Sequence, residues 1–541
     1  MDSISNQSES EKFEQAKNYF LLGMENFEKG LFIEAEKLLF LALDLFPERL
    51  SILTNLSAVL IKLGKLERAH EILSKGINLY PTDEAIYLNF GNLHTVNKNW
   101  HMSLDCYNRA IEINPDYVEA YSNRGNALQE LKRMDEAIAN YDRAVEINPD
   151  YVDAYSNRGN ALQELKRMDE AIANYDKAIE IKPDYEEVYF NRGIALKELK
   201  RVEEAIANYD KAIEIKPSYA DAHWNKSLAL LLKGDLLMGW ELHEWRWKVD
   251  VHLSQNRNFT QPLWLGFEDI AGKTILLHAE QGLGDTIQFC RYAKLVKERG
   301  VFLVLEVPKV LLGLLSGLEG VDEFVEKGKE LPFFDYHCPL MSLPLAFKTS
   351  LKSIPIQIPY IRPKINNKNK WQKRIGETGF KIAICWQGST KGKVDFGRSF
   401  PVSLFEGLAQ IDGVRLISLQ KNEGVDQLKS LPVGMIVETF PDDFDIGENA
   451  FLDSAAIMKC MDLVITSDTA LTHLAGALGV KTWLPLKYLP DWRWMLDRSD
   501  SPWYPNHRLF RQIKSDDWLS VFKEMEKELN FLLSTKSATK Q

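Results

Sequence analysis

The segment His278-Ala-Glu-Gln-Gly-Leu-Gly-Asp-Thr-Ile-Gln-Phe289 sets two glycines and a carboxylate in a turn between an apolar strand and a helix. A helix N-terminus stabilises negative charge and the glycines leave it open, so Asp285 is a candidate general base. The same spacing suits a helix N-cap, and the two readings stand side by side. The order Gly-x-Gly-x-x-Ile lacks the third glycine of a dinucleotide fingerprint, and Asp285 would repel a pyrophosphate at the helix start. His278 and Glu280 are secondary candidates, with a structural role as the leading reading.

A second loop, Trp386 to Ser399, carries Gly388, Ser389, Lys391, Lys393 and Arg398. Its glycines, hydroxyls and cations suit a diphosphate held by backbone N–H groups and charge-assisted bonds, a solvated charged loop being the alternative. In Thr-Ser-Asp468-Thr469-Ala-Leu-Thr-His473, the Thr469 hydroxyl and the free N–H groups of a helix start could hold phosphate. His473 alone reads as a buried, satisfied histidine. Gln420 and Lys421 end another strand, where a nucleotide base or ribose would lie on the carboxyl edge of an α/β sheet. Asp491-Trp-Arg-Trp494 is mostly core in type, with Arg493 able to face a cleft. Asp443-Phe-Asp445 formally matches a DxD in a loop, but no HExxH, cysteine cluster or GxSxG is present, so metal, zinc-site and serine-hydrolase chemistries lack their residues. No metal or cofactor is expected.

The elements that must position these groups follow from the apolar pattern. From Lys273 onward, short apolar runs alternate with helical periods, the signature of parallel sheets with crossover helices. Strands are predicted at Thr274–His278, Phe302–Val307, Ile382–Trp386, Arg415–Leu419, Leu463–Thr466 and Thr482–Leu484. A helix is predicted at Asp285–Arg299, and another at Asp517–Leu533 that could pack on either lobe. Two doubly wound, Rossmann-like lobes result, 273–365 on the acceptor side and 378–515 on the donor side, facing each other across a cleft. Residues 516–541 form a C-terminal helix and tail, the tail from Ser534 being disordered.

Upstream, Pro47, Pro81, Pro115, Pro149, Pro183 and Pro217 recur every 34 residues, as do Asn55, Asn89, Asn123, Asn157, Asn191 and Asn225. A period of that length is one helix-turn-helix unit. Gly23, Gly91, Gly125, Gly159 and Gly193 keep step and let paired helices approach closely, while each proline ends the second helix. Units 118–151 and 152–185 are nearly identical. An α-solenoid is expected over 16–253, after a disordered segment 1–15 and before a linker 254–272. On each first helix, residues such as Glu119, Ser122, Asn123, Asn126 and Gln129 form one polar stripe opposite a packed one. Asparagine offers a donor and an acceptor, which suits an extended peptide whatever its sequence. The alternative is that it belongs only to the repeat pattern.

The chain has 541 residues, 45% apolar, with a net charge of −11, which argues against a nucleic-acid binder held by a general basic surface. No apolar run reaches the ~18 residues of a membrane helix, and the polar, acidic N-terminus does not read as a secretory signal. Five scattered cysteines without CxxC spacing point to reduced thiols in a cytoplasm.

The repeat positions resemble the tetratricopeptide repeat. Gln-Gly-Leu-Gly-Asp285 and Ser-Asp-Thr-Ala-Leu-Thr-His473-Leu-Ala-Gly-Ala-Leu-Gly resemble the signature of the family 9 glycosyltransferases, the lipopolysaccharide heptosyltransferases of two-lobed GT-B fold. The whole chain is similar to bacterial tetratricopeptide-repeat glycosyltransferases, including flagellin glycosyltransferases, and in architecture to protein O-GlcNAc transferases. The resemblance implies an inverting, metal-independent transfer from a nucleotide sugar, with Asp285 as base and Asp468, Thr469 and His473 on the donor. Ala470 stands where the family has glycine, and Lys391, Lys393 and Arg398 are matched by position only. It also implies that first helices line a concave side, where the asparagines would contact an acceptor protein. A protein hydroxyl is the expected acceptor. A binding scaffold with an inactive transferase-like half, and a transferase acting on a glycan or lipid-linked acceptor, are the alternatives.

Overall fold

The structure, a computed structural model, describes residues 9–250, 257–363, 365–390, 397–441, 444–446 and 450–538. It divides into two compact units, Met1–Glu198 with Glu214–Lys216, and Leu199–Ile213 with Pro217–Gln541. In the first unit the helices run in pairs, beginning with Glu9–Glu28 and Phe32–Leu45 and reaching Glu186–Glu198. Second helices end at Leu45, Leu79, Ile113, Ile147 and Ile181, two residues before each ladder proline, whose ring and missing N–H cannot continue the helix. The first helix starts at Glu9 rather than after residue 15: Ala16 and Gly23 give it a buried face against the second helix, and this packing orders it.

Glycine in the first helix makes the pair possible. At Gly125 a Cβ would come within 2.5 Å of the Tyr141 ring, and Gly159 stands in the same relation to Tyr175. Both tyrosines are fully buried, and their hydroxyls donate to Asn126 and Asn160 at 2.7 Å. Tyr107, Tyr141 and Tyr175 thus each insert a ring where the facing helix lacks a side chain, and Leu39 fills the same place at Gly23.

The second unit contains the helices Ala220–Lys233 and Leu236–His243, a 3₁₀ turn Glu244–Lys248, and two parallel sheets. The first sheet comprises β1 (Thr274–His278), β2 (Phe302–Val307), β3 (Glu323–Glu326) and β4 (Tyr336–Pro339), in the order β3-β2-β1-β4. The second comprises β5 (Phe380–Cys385), β6 (Val414–Ser418), β7 (Val437–Glu438), β8 (Leu463–Thr466), β9 (Thr482–Leu486) and β10 (His507–Arg511), in the order β10-β9-β8-β5-β6-β7. The predicted helix Asp285–Arg299 is instead Leu283–Phe289, a 3₁₀ turn Cys290–Tyr292 and Ala293–Lys297. The break carries Arg291 inward, where its guanidinium donates to the carbonyls of Gln288, Pro355 and Trp503.

The last helix, Trp518–Ala538, extends past the expected end at Leu533 and packs on the second lobe. Its Trp518, Val521, Phe522, Met525 and Leu529 join Phe400, Phe405, Trp483 and Phe510 in one apolar core. Trp240, on the last repeat helix, donates its indole N–H to the Thr349 carbonyl at 3.0 Å and meets Trp492 edge-on. The five cysteines are free thiols, four of them buried. Among the described residues, no helix is long and apolar enough to cross a membrane.

Candidate functional site

In the second sheet β5 lies between β8 and β6, so connections leave its carboxyl end in opposite directions at the β5/β8 boundary. Such a switch point opens a crevice beyond the strand ends. A cavity of about 510 Å³ occupies it, lined by Gly388 and Ser389 after β5, Gln420 and Lys421 after β6, Thr469 after β8, and Leu283 from the first lobe. These predicted donor residues therefore share one cavity. Asp468, His473 and Arg398 stand beside it, and Lys391 and Lys393 lie outside the described residues.

Their roles differ. The Gln420 amide is spent on the protein: its oxygen accepts from the N–H groups of Trp386 and Gln387 at 3.0 Å, and its nitrogen donates to the carbonyls of Gln387 and Glu423. It staples two post-strand loops together. Lys421 donates to the carbonyls of Phe444 and Asp445. Asp445, half of the formal DxD, accepts from the N–H groups of Asp453 and Ser454 and so caps the helix Leu452–Met458. Burial pushes its carboxyl up. Arg398 donates to the Asp468 carbonyl at 3.0 Å, passing Gly388 so closely that a Cβ there would lie 2.6 Å from its Nη2. Asp468 is held well above the usual carboxylate range by desolvation first and by Asp491 second. Thr469 is the N-cap of the helix Ala470–Ala477, yet its buried hydroxyl caps nothing and has no partner. An unmade bond of this kind costs about 1–3 kcal/mol, which a bound acceptor atom would offset.

Asp285 sits on the facing lobe at the third position of its helix, with its side chain about one-fifth exposed. One carboxylate oxygen accepts from the Gly282 N–H at 2.8 Å, the N-terminal capping interaction, and the other from Arg493 Nη2 at 2.5 Å. Each oxygen retains a second lone pair, so capping and proton acceptance are compatible. The lobes touch one residue earlier: a Cβ on Gly284 would lie 2.8 Å from His473 Cδ2. His473 is buried, bonded through Nδ1 to the Tyr504 hydroxyl at 3.0 Å and stacked on Trp494. Burial, with Arg493 next, keeps its imidazole neutral by moving its pKa well down. It packs the lobe junction.

Glu280 follows β1 and is buried against Arg246, which donates from Nε at 2.8 Å and from Nη2 at 3.1 Å; the Met341 N–H adds a third bond. Burial raises its pKa even so. Arg246, fully buried, also holds Glu244 and Ser342. His278 faces His337 at 3.2 Å, and burial followed by that neighbour moves its pKa well down. The residues read as structural do fill structural positions.

In the first unit, Asn89 donates to the Thr54 carbonyl, Asn123 to Asn92 at 3.0 Å and Asn191 to Asn160 at 3.1 Å, each on the preceding first helix. Asn55 donates back to the Ser51 carbonyl of its own helix. Asn157 is half-buried at the equivalent position. In the second unit, Asn225 donates to the Asp221 carbonyl. Asn89, Asn123 and Asn191 thus tie neighbouring repeats through their amide N–H groups, whereas Asn55 and Asn225 bond within their own helices.

The family described as TPR repeat matches residues 99–132, 125–166, 159–200 and 195–234. The array is built of tetratricopeptide repeats. Protein FlbA of Caulobacter vibrioides is 26% identical over 307 residues, 52% of this chain and 50% of its own length, so the chain spans about half the length of that curated relative. YrrB, described as a TPR protein with an unusual peptide-binding site, is 24% identical, with a TM-score of 0.29 over 35% of this chain and 98% of its own. Yeast Tom70 is 18% identical, with a TM-score of 0.36 over 44% and 51% respectively. Tetratricopeptide repeats suggest a protein-binding scaffold. Two features of the site went unread in the sequence: the bond from Arg493 to Asp285, for which the aromatic Asp-Trp-Arg-Trp run was the available signal, and the repeat-derived Arg246 on Glu280, which had none.

Proposed function

We propose that the chain transfers a sugar from a nucleotide-sugar donor to a hydroxyl of an acceptor protein recruited by the repeats. The observation that carries the reading is the switch-point cavity lined by Gly388, Ser389 and Thr469, which Leu283 of the other lobe helps to close, with Thr469 at a helix start and its buried hydroxyl without a partner. A diphosphate there takes the Thr469 hydroxyl, the free N–H groups of the helix and the nearby Arg398. Asp285 takes the acceptor proton as the acceptor oxygen bonds the anomeric carbon. The bond from that carbon to the diphosphate breaks, and the nucleoside diphosphate leaves with the electron pair, giving inversion. Helix dipole and cation stabilise the charge that grows on it. No metal takes part in this scheme, and the reaction is assigned to the cytoplasm, in keeping with the free thiols.

The test is intact-mass analysis of candidate acceptor proteins incubated with the full chain and a panel of nucleotide sugars. A mass increment equal to one sugar residue supports the reading. If no acceptor gains mass and calorimetry detects no nucleotide-sugar binding, the α/β half is a scaffold and the transferase reading fails.

A further inference from the structure

We propose that Arg493 is the positioning residue of this site, reaching from the second lobe to hold the Asp285 carboxylate and to set the two lobes in register. This rests on the reading of Asp285 as the base. Arg493 is 7% exposed, and its guanidinium carbon lies over the Trp492 indole, 4.2 Å from the ring centre. Three of its five N–H groups have named acceptors. Nη1 donates to Asp491 Oδ1 at 2.9 Å within its own lobe. Nε donates to Gln288 Oε1 at 2.6 Å and Nη2 to Asp285 Oδ1 at 2.5 Å, both on the helix Leu283–Phe289 of the other lobe.

An arginine serving its own lobe alone would have no reason to direct two of three bonds outward. Asp285 and Gln288 lie three residues apart, on one face of a helix, so a planar fork can grip both at once. Asp491 makes the root of the fork rigid, since its other task is to accept the Arg493 backbone N–H at 3.0 Å. Lysine has one nitrogen and cannot reproduce three diverging bonds in a plane. The charged and titratable groups around the pair are Asp491 and Asp468 from the second lobe, His473 on the helix packed against Gly284, and Arg398 and Arg291 farther out. Asp285 therefore meets one directly bonded cation, and replacing that cation changes its aim.

The test uses the full chain as Arg493→Lys, Arg493→Gln, Asp285→Asn and the double variant Arg493→Gln/Asp285→Asn. With a donor and acceptor pair active for the parent, Arg493→Lys is expected to lower kcat about 10-fold or more while the donor KM stays within about 3-fold, a displacement effect on the reacting geometry. Arg493→Gln should add nothing to Asp285→Asn. A normal kcat in Arg493→Lys overturns the proposal. Hydrogen exchange across residues 281–289 separates it from the transferase reading: if the parent transfers no sugar, the transferase reading alone falls. Exchange there should still rise about 10-fold in Arg493→Gln, with β9 unchanged. Unaltered exchange over 281–289 refutes the positioning role whatever the activity.

Discussion

Replacing Gly284 by alanine tests the lobe junction, because two opposing terms can be read from the structure. Alanine in the first turn of the helix Leu283–Phe289 gains up to about 1 kcal/mol in helix propensity. Against this, the new Cβ meets His473 Cδ2 at 2.8 Å and the Ala470 Cα at 3.5 Å. Comfortable carbon contacts lie at about 3.5–4.0 Å, so the imidazole must retreat by roughly 0.7–1 Å. Its bond to Tyr504 and its stacking on Trp494 oppose that movement. Overpacking of this kind costs about 1–3 kcal/mol, so a net loss of about 0–2 kcal/mol is expected. The neighbouring residue is Asp285, and a misplacement of about 1 Å at a reacting group costs roughly 100-fold in rate. Urea unfolding followed by tryptophan fluorescence, with turnover measured on the same samples, reads both effects. Gly317→Ala, whose Cβ would enter open space, is the control and should stay within about 0.5 kcal/mol. In a His473→Ala background the cost of Gly284→Ala should shrink by about 1 kcal/mol, the coupling expected of residues in contact. A Gly284→Ala chain as stable and as active as the parent would falsify the tight lobe contact and its link to Asp285.

Asp285→Asn should lower turnover by about 100-fold or more while calorimetric donor affinity changes little; unchanged turnover removes its role as base. Asp468, raised to about 6 in the folded chain from an ordinary carboxyl value near 4, holds a proton that the unfolded chain has already lost. Its contribution is present below about pH 4 and is lost as pH rises towards 6, so Asp468→Asn should gain on the parent across that window; a melting-temperature difference identical at pH 4 and pH 7.5 contradicts this. Asn123→Ala and Asn191→Ala each remove a bond to the preceding repeat and should cost about 1 kcal/mol in chemical unfolding. If acceptors also lie along the ladder, combining these changes lowers transfer onto whole proteins and spares a short peptide; equal loss on both speaks against repeat-borne recognition.

The sequence made some parts of this architecture plain and concealed others for physical reasons. The expected bounds at Thr274–His278, Phe302–Val307 and Leu463–Thr466 coincide with β1, β2 and β8, because buried parallel strands are unbroken apolar runs. Glu323–Glu326 and Tyr336–Pro339 escaped notice: they are four residues long, the first ends in glutamate on both sides and the second holds His337 and closes on Pro339, and they draw their strand character from β2 and β1 alongside. His507–Arg511 was hidden likewise by its charged ends and is defined by pairing with β9. At the site, post-strand position identified the loops that meet at the cavity. It could not tell a side chain left without a partner from one bonded to neighbouring backbone, which is what separates Thr469 from Gln420. The repeat spacing identified Asn123 and Asn191, whereas their bonds to Asn92 and Asn160 depend on how far one unit rotates on the next, a quantity no single repeat encodes.

The buried pair between Arg246 and Glu280 bears on how such chains can be cut and recombined. A fragment beginning near residue 260 would lack Arg246, Glu244 and Trp240 together, leaving Glu280 charged in a closed pocket at a cost of about 3–5 kcal/mol. The α/β half therefore has to be expressed, inherited or transplanted with the last repeat attached. Exchange between related genes is tolerated farther upstream, where the near-identical segments 118–151 and 152–185 can misalign by one unit and still restore the same interfaces. Repeat number can then drift while the junction that serves Asp285 stays fixed.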